Sequence, residues 1–122
     1  MKNQEFTPVS RLSSFGHAFS GVKKFFREEP NARVHLLATV VVLILAVYLK
    51  ATRIEWALLI IVMGMVWAAE IFNTAIERIM DFISPRIDPK VKVIKDMSAA
   101  AVLVCAILAA AVGLIIFIPK II

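Results

Sequence analysis

Three apolar runs, each about as long as a bilayer is thick, constrain this chain more than any other feature. They cover residues 32–49, 54–74 and 97–118. The first is interrupted by Arg33, His35 and Thr39. The second carries Glu70 and Asn73 near its end, and the third has Ser98 as its sole polar side chain. Runs of roughly 18–22 residues match the ~20 that a helix needs to cross ~30 Å of hydrocarbon. Backbone groups cannot stay unpaired in lipid, so each run is expected to be a helix. The composition agrees. The chain is 61% apolar, against about 45–50% for soluble domains, and the excess is expected to face lipid.

The segment before the first run is patterned differently. Val9, Leu12, Phe15, Phe19, Val22 and Phe26 recur at spacings of three and four. Arg11, Ser13, Ser14, His17, Ser20, Lys23, Lys24 and Arg27 fall between them. That pattern predicts an amphipathic helix over 8–29 with a basic polar face, suited to a membrane surface. Pro30 marks a break after it. The stretch is too long and too mixed in charge to read as a signal peptide, so the chain is read as mature. The expected architecture is all-α and integral to the membrane, one domain over 1–122. Its parts are the surface helix, a first span at 32–50, a second at 54–82 with a cytoplasmic extension, and a third at 94–118. Cys105 lies alone in an apolar run, so no intrachain disulfide is available and a buried, inert thiol is expected.

Charge sets the partners and the orientation. A net charge of +5 suits either nucleic acid or an anionic membrane. The apolar runs decide for the membrane and against nucleic acid. Six Lys/Arg lie in the N-terminal region through Arg33 and five between Arg78 and Lys95, but only Lys50 and Arg53 occupy the first connection and Lys120 the C-terminus. The positive-inside rule then places the N-terminus and the 84–95 connection in the cytoplasm. Trp56 falls at the outer interface.

The second span carries the chemistry. Glu70, Asn73, Glu77 and Asp81 are separated by three, four and four residues. At ~100° per residue they fall within about 80° of one another, a polar stripe on an apolar helix. Sixteen residues from Ile54, at ~1.5 Å each, place Glu70 roughly 24 Å deep, near the cytoplasmic boundary of the hydrocarbon. An ionised carboxylate inside a span costs a few kcal/mol or more, so three acids on one face are hard to explain by packing alone.

More polar groups gather at that level. Glu28 and Glu29 end the surface helix, Asn31, Arg33 and His35 open the first span, and Lys95 and Asp96 open the third. Carboxylates hold Mg²⁺, and basic side chains neutralise phosphates, so the set suits an anionic, metal-bound ligand. Snorkelling at a span end would account for Lys95 or Arg33 taken singly. The four glycines are scattered, which excludes a glycine-rich phosphate loop of the soluble type.

The run Glu70-Ile71-Phe72-Asn73-Thr74-Ala75-Ile76-Glu77, with Asp81 and the Lys95-Asp96 pair downstream, resembles the signature of the prokaryotic diacylglycerol kinase and undecaprenol kinase family. The resemblance extends from the surface helix to the third span. It implies a homotrimeric lipid kinase of the inner (plasma) membrane, with active sites shared between subunits and ATP and Mg²⁺ as cosubstrates. It implies Glu70 as catalytic base and Glu29 and Glu77 as ligands of the metal on the ATP phosphates. Asn73, Lys95 and Asp96 are implied nucleotide contacts, joined by Arg11, His17, Arg86, Ile87 and Asp88. His17 stands where the family often has tyrosine, and the connection at Arg86–Asp88 is not itself a motif.

Asn31 to His35, Ile54-Glu55-Trp56 and Ile116-Phe117-Ile118-Pro119-Lys120 look more like the undecaprenol kinase branch. Asn31, Arg33, His35, Trp56 and Ser98, with Glu70, are therefore the expected lipid-substrate contacts. A small membrane adaptor or transporter subunit is the competing reading, and it requires no role for Glu70 in nucleotide turnover.

Overall fold

The computed structural model describes residues 7–122. It contains four helices in the order α1 Pro8–Glu28, α2 Pro30–Tyr48, α3 Arg53–Ile83 and α4 Pro89–Ile121. Each boundary has a local cause. The Thr7 hydroxyl accepts from the Ser10 N–H at 3.1 Å and caps α1. Glu29 alone separates α1 from α2. Proline disfavours helical backbone in the residue before it, and Glu29 is extended at φ −105°, ψ 115°, so Pro30 ends one helix and starts the next.

The α2–α3 corner is a Schellman turn. Ala51 N–H donates to the Ala46 carbonyl at 2.9 Å and Lys50 N–H to that of Val47 at 3.2 Å. Lys50 takes the left-handed conformation there, at φ 53°. Thr52 and Glu55 then form a reciprocal capping box at the start of α3. Lys120, at the end of α4, reaches the same Glu55 at 2.9 Å and ties the two helix ends together. Ser84 precedes Pro85 and stops α3. Asp88 caps α4 by accepting from Lys90 N–H at 2.8 Å, with Pro89 in the first helical position. The third span thus starts several residues earlier than hydropathy suggests, because a cap and a proline set helix starts regardless of polarity.

Helices α2, α3 and α4 are each long and apolar enough to cross a membrane. The 31 residues of α3 extend ~46 Å at 1.5 Å per residue, well beyond a ~30 Å hydrocarbon layer. The surplus carries Glu77, Arg78 and Asp81 past the boundary. Helices α3 and α4 form the main packed pair, and α1 and α2 touch them more lightly. One core cluster joins Ala46, Leu59, Ile116 and Phe117, with Trp56, Met63 and Val112 packed against it. Cys105 is half-buried and free. Much of the large apolar surface of the three long helices stays exposed, as lipid contact requires. On α1, Val9, Leu12, Phe15 and Phe19 are exposed and only Phe25 is buried.

Candidate active site

On α3, Val62, Val66, Glu70 and Thr74 recur every four residues and are all buried. The face that would be a plain packing stripe therefore carries a carboxylate. Glu70 is only 6% exposed. Its Oε1 lies 2.6 Å from Nε2 of His35 on α2, and no other side-chain partner of Glu70 occurs among the described residues. An acid this deep is tolerated only with a hydrogen-bonding partner, and His35 supplies it.

The surroundings hold His35 in place. Thr39 Oγ1 donates to the His35 carbonyl at 2.7 Å. Trp67 Nε1 donates to Thr39 Oγ1 at 3.0 Å. The Trp67 ring meets His35 edge-on, with centroids 6.1 Å apart, and packs on Phe25 and Phe26 of α1. The indole therefore links α1 to His35. Sequence reasoning passed over Trp67. A tryptophan three residues from Glu70, within one helical turn of it, was the available signal.

A cleft of about 500 Å³ runs between α2, α3 and α4. His35, Thr39 and Trp67 line one end, and Phe117, Ile118 and Ile121 the other. The wall between them is aliphatic and small, including Ala106, Ala110 and Gly113.

Beyond Glu70 along α3, the Arg78 guanidinium donates to Glu28 at 2.8 Å and to Glu29 at 3.2 Å. Arg78 was not among the sequence-derived site residues, and a basic residue beside the acid stripe was its only sign. Lys95 Nζ donates to Asp81, so the stripe on α3 meets the start of α4. Lys92 pairs with Asp96 at 2.6 Å. Glu77 is half-buried. Among the described residues, two buried side-chain oxygens have no hydrogen-bond partner, Oδ1 of Asn73 and Oγ of Ser98.

The structure does not bring every expected residue to this place. Trp56 packs on the core cluster at the far end of α3, ~21 Å along the helix from Glu70. His17 is exposed on α1, 3.4 Å from the Ser13 hydroxyl. Arg11, Asn31 and Arg33 are exposed. Ile87 is fully exposed, Arg86 accepts from the Ser84 hydroxyl through its carbonyl at 3.2 Å, and Asp88 is occupied in capping α4.

No cluster of three or more His, Cys, Asp or Glu gathers among the described residues. Mg²⁺ keeps several waters and is held by one or two carboxylates together with substrate phosphates rather than by an all-protein cage. Glu29 and Glu77 offer hard oxygen donors, and the unpaired Asn73 oxygen lies on the stripe between Glu70 and Glu77.

The model of the prokaryotic diacylglycerol kinase family matches residues 16–117. The chain belongs to that family. The chain is 37% identical over 109 residues to an undecaprenol kinase of Bacillus subtilis, covering 89% of each sequence. It is 34% identical over 109 residues to a diacylglycerol kinase of Synechocystis, covering 88% of this chain and 62% of that protein. A diacylglycerol kinase of Pseudomonas aeruginosa is 36% identical over 90 residues, 74% of this chain and 73% of that one. No solved structure matches it significantly. The family resemblance drawn from the Glu70–Glu77 run is borne out, and the chain is a membrane lipid kinase. The adaptor or transporter reading falls with that assignment.

Proposed function

We propose that this chain transfers the γ-phosphate of ATP to the hydroxyl of a membrane lipid in a Mg²⁺-dependent reaction, with undecaprenol preferred over diacylglycerol. It works as a homotrimer at the cytoplasmic face of the plasma membrane, with the apolar side of α1 resting on the lipid surface. The observation that carries this reading is the buried Glu70 carboxylate, whose partner His35 closes the end of an apolar cleft.

Phosphoryl transfer asks a protein for position, charge neutralisation and an acceptor for one proton. The cleft takes the hydrocarbon of the lipid and brings its hydroxyl to the level of Glu70. The Glu70 carboxylate takes the hydroxyl proton as the lipid oxygen bonds to the γ-phosphorus. The bond from that phosphorus to its bridging oxygen breaks, and ADP leaves with the electron pair. Glu29 and Glu77 hold Mg²⁺, which supplies neutralising charge on the phosphates when bound. Lys95 places an ammonium at the same level, and Asn73 and Asp96 contact the nucleotide. Arg11, His17 and the Arg86–Asp88 connection complete the nucleotide side.

The preference for undecaprenol follows from the walls of the cleft. Only His35, Thr39 and Trp67 bring polar side chains to it, and Trp67 is already engaged with Thr39. A cleft with so few free donors gains little from glycerol ester oxygens, because discrimination by hydrogen bonding needs placed partners. The test is transfer of label from ATP by purified protein to a panel of lipid alcohols. Absence of transfer to any of them, with ATP bound, would count against the reading.

A further inference from the structure

We infer that His35 is the positioning residue of the catalytic base, donating its Nε2–H to Oε1 of Glu70 so that Oε2 is left for the incoming hydroxyl. The inference rests on Glu70 being the base. A base must be a carboxylate, and a carboxylate only accepts hydrogen bonds. At 2.6 Å the imidazole nitrogen facing it must therefore carry the hydrogen. This selects the Nε2–H tautomer, or the doubly protonated ring.

Three contacts help hold His35 in place. Its backbone carbonyl accepts from Thr39, its ring packs against Trp67 in a T-shaped contact, and Trp67 is braced by Phe25 and Phe26. The side chain of His35 is 25% exposed and that of Glu70 8%, so the base is the more deeply enclosed of the pair. A buried carboxylate free to rotate would present either oxygen to the hydroxyl, and holding one oxygen leaves one productive orientation. His35 thus acts on the reaction through Glu70.

The test compares His35→Ala with His35→Gln, whose amide N–H stands near the place of Nε2. His35→Ala should lower kcat by roughly 10–100-fold, the range for a lost hydrogen bond to a charged group, with KM for Mg-ATP unchanged. His35→Gln should recover most of the loss, whereas a merely structural role would leave both variants alike. In a Glu70→Gln background His35→Ala should cost little more, because the two act as one unit. ¹⁵N spectra give a readout independent of turnover. Of the two histidines, the one whose signals vanish in His35→Gln should carry a proton on Nε2, and its shifts should move in Glu70→Gln. An Nδ1–H tautomer with bare Nε2, or full activity in His35→Ala while Glu70→Gln is dead, would overturn the inference and leave the base assignment intact. If Glu70→Gln itself keeps its activity, the base assignment is what fails.

Discussion

Arg78 holds Glu29 by a hydrogen bond of 3.2 Å from its guanidinium to Oε1, and so ties the end of α1 to the C-terminal part of α3. The same guanidinium takes Glu28 at 2.8 Å. Arg78 and Glu28 are exposed and Glu29 is half-buried, and ion pairs this open to solvent contribute little to stability. Their consequence is placement. Glu29 is fixed in the extended backbone imposed by Pro30, and Arg78 fixes its side chain.

Arg78→Ala is therefore expected to leave thermal stability nearly unchanged while raising KM for Mg-ATP roughly 10-fold or more, the range for loss of a partner that orients a metal-binding carboxylate. The check is Tm in micelles beside steady-state kinetics. A large fall in Tm with unaltered KM would make the pair structural.

Glu70→Gln should abolish lipid phosphorylation while nearly preserving Mg-ATP affinity. Loss of a general base typically lowers kcat by 10²–10⁴-fold. Nucleotide binding by equilibrium dialysis beside transfer to lipid separates the two properties, and near-normal kcat would remove Glu70 from the chemistry.

Glu29→Gln and Glu77→Gln should each weaken Mg-ATP use, with partial recovery as Mg²⁺ is raised. Mg²⁺ titrations of both variants decide it, since an unaltered dependence would remove them from the metal site. If neighbouring subunits share each site, mixing Glu29→Gln with Glu70→Gln chains should restore some activity. Strict failure to complement would confine the site to one subunit.

Thr39→Val should destabilise the fold by ~1–3 kcal/mol, because it leaves the Trp67 indole N–H without its acceptor in an apolar setting. Adding Trp67→Phe should return much of that loss, since removing both polar partners is far less costly than removing one. Unfolding midpoints in mixed micelles for the single and double variants test it. Additive losses would show that the bond matters little.

Undecaprenol should give a higher kcat/KM than diacylglycerol at matched mole fraction in the same bilayer, with transfer to both detectable. Apolar contacts discriminate by only ~1–3 kcal/mol per group, so a ratio of rates is expected rather than exclusion. A clear diacylglycerol preference would reverse the substrate order and leave the lipid kinase standing.

The sequence by itself determined the parts of this protein that depend on short-range rules. Three apolar runs dictated three long helices, because an unpaired backbone is too costly in lipid. Pro30, Ser84-Pro85 and Asp88-Pro89 set helix ends through sterics and capping within a few residues. The spacing of Glu70, Asn73, Glu77 and Asp81 put four polar groups on one face by helical periodicity alone. Only the tertiary structure decided which groups meet. Glu70 and His35 are 35 residues apart, Trp67 and Thr39 28, and Arg78 and Glu29 49. No local rule links residues so far apart. Their meeting depends on how α1 and α2 settle against α3, which apolar runs leave open because they pack against lipid and against one another almost equally well. The resulting contacts made His35 the partner of Glu70, and left Trp56 in the packing at the opposite end of the helix.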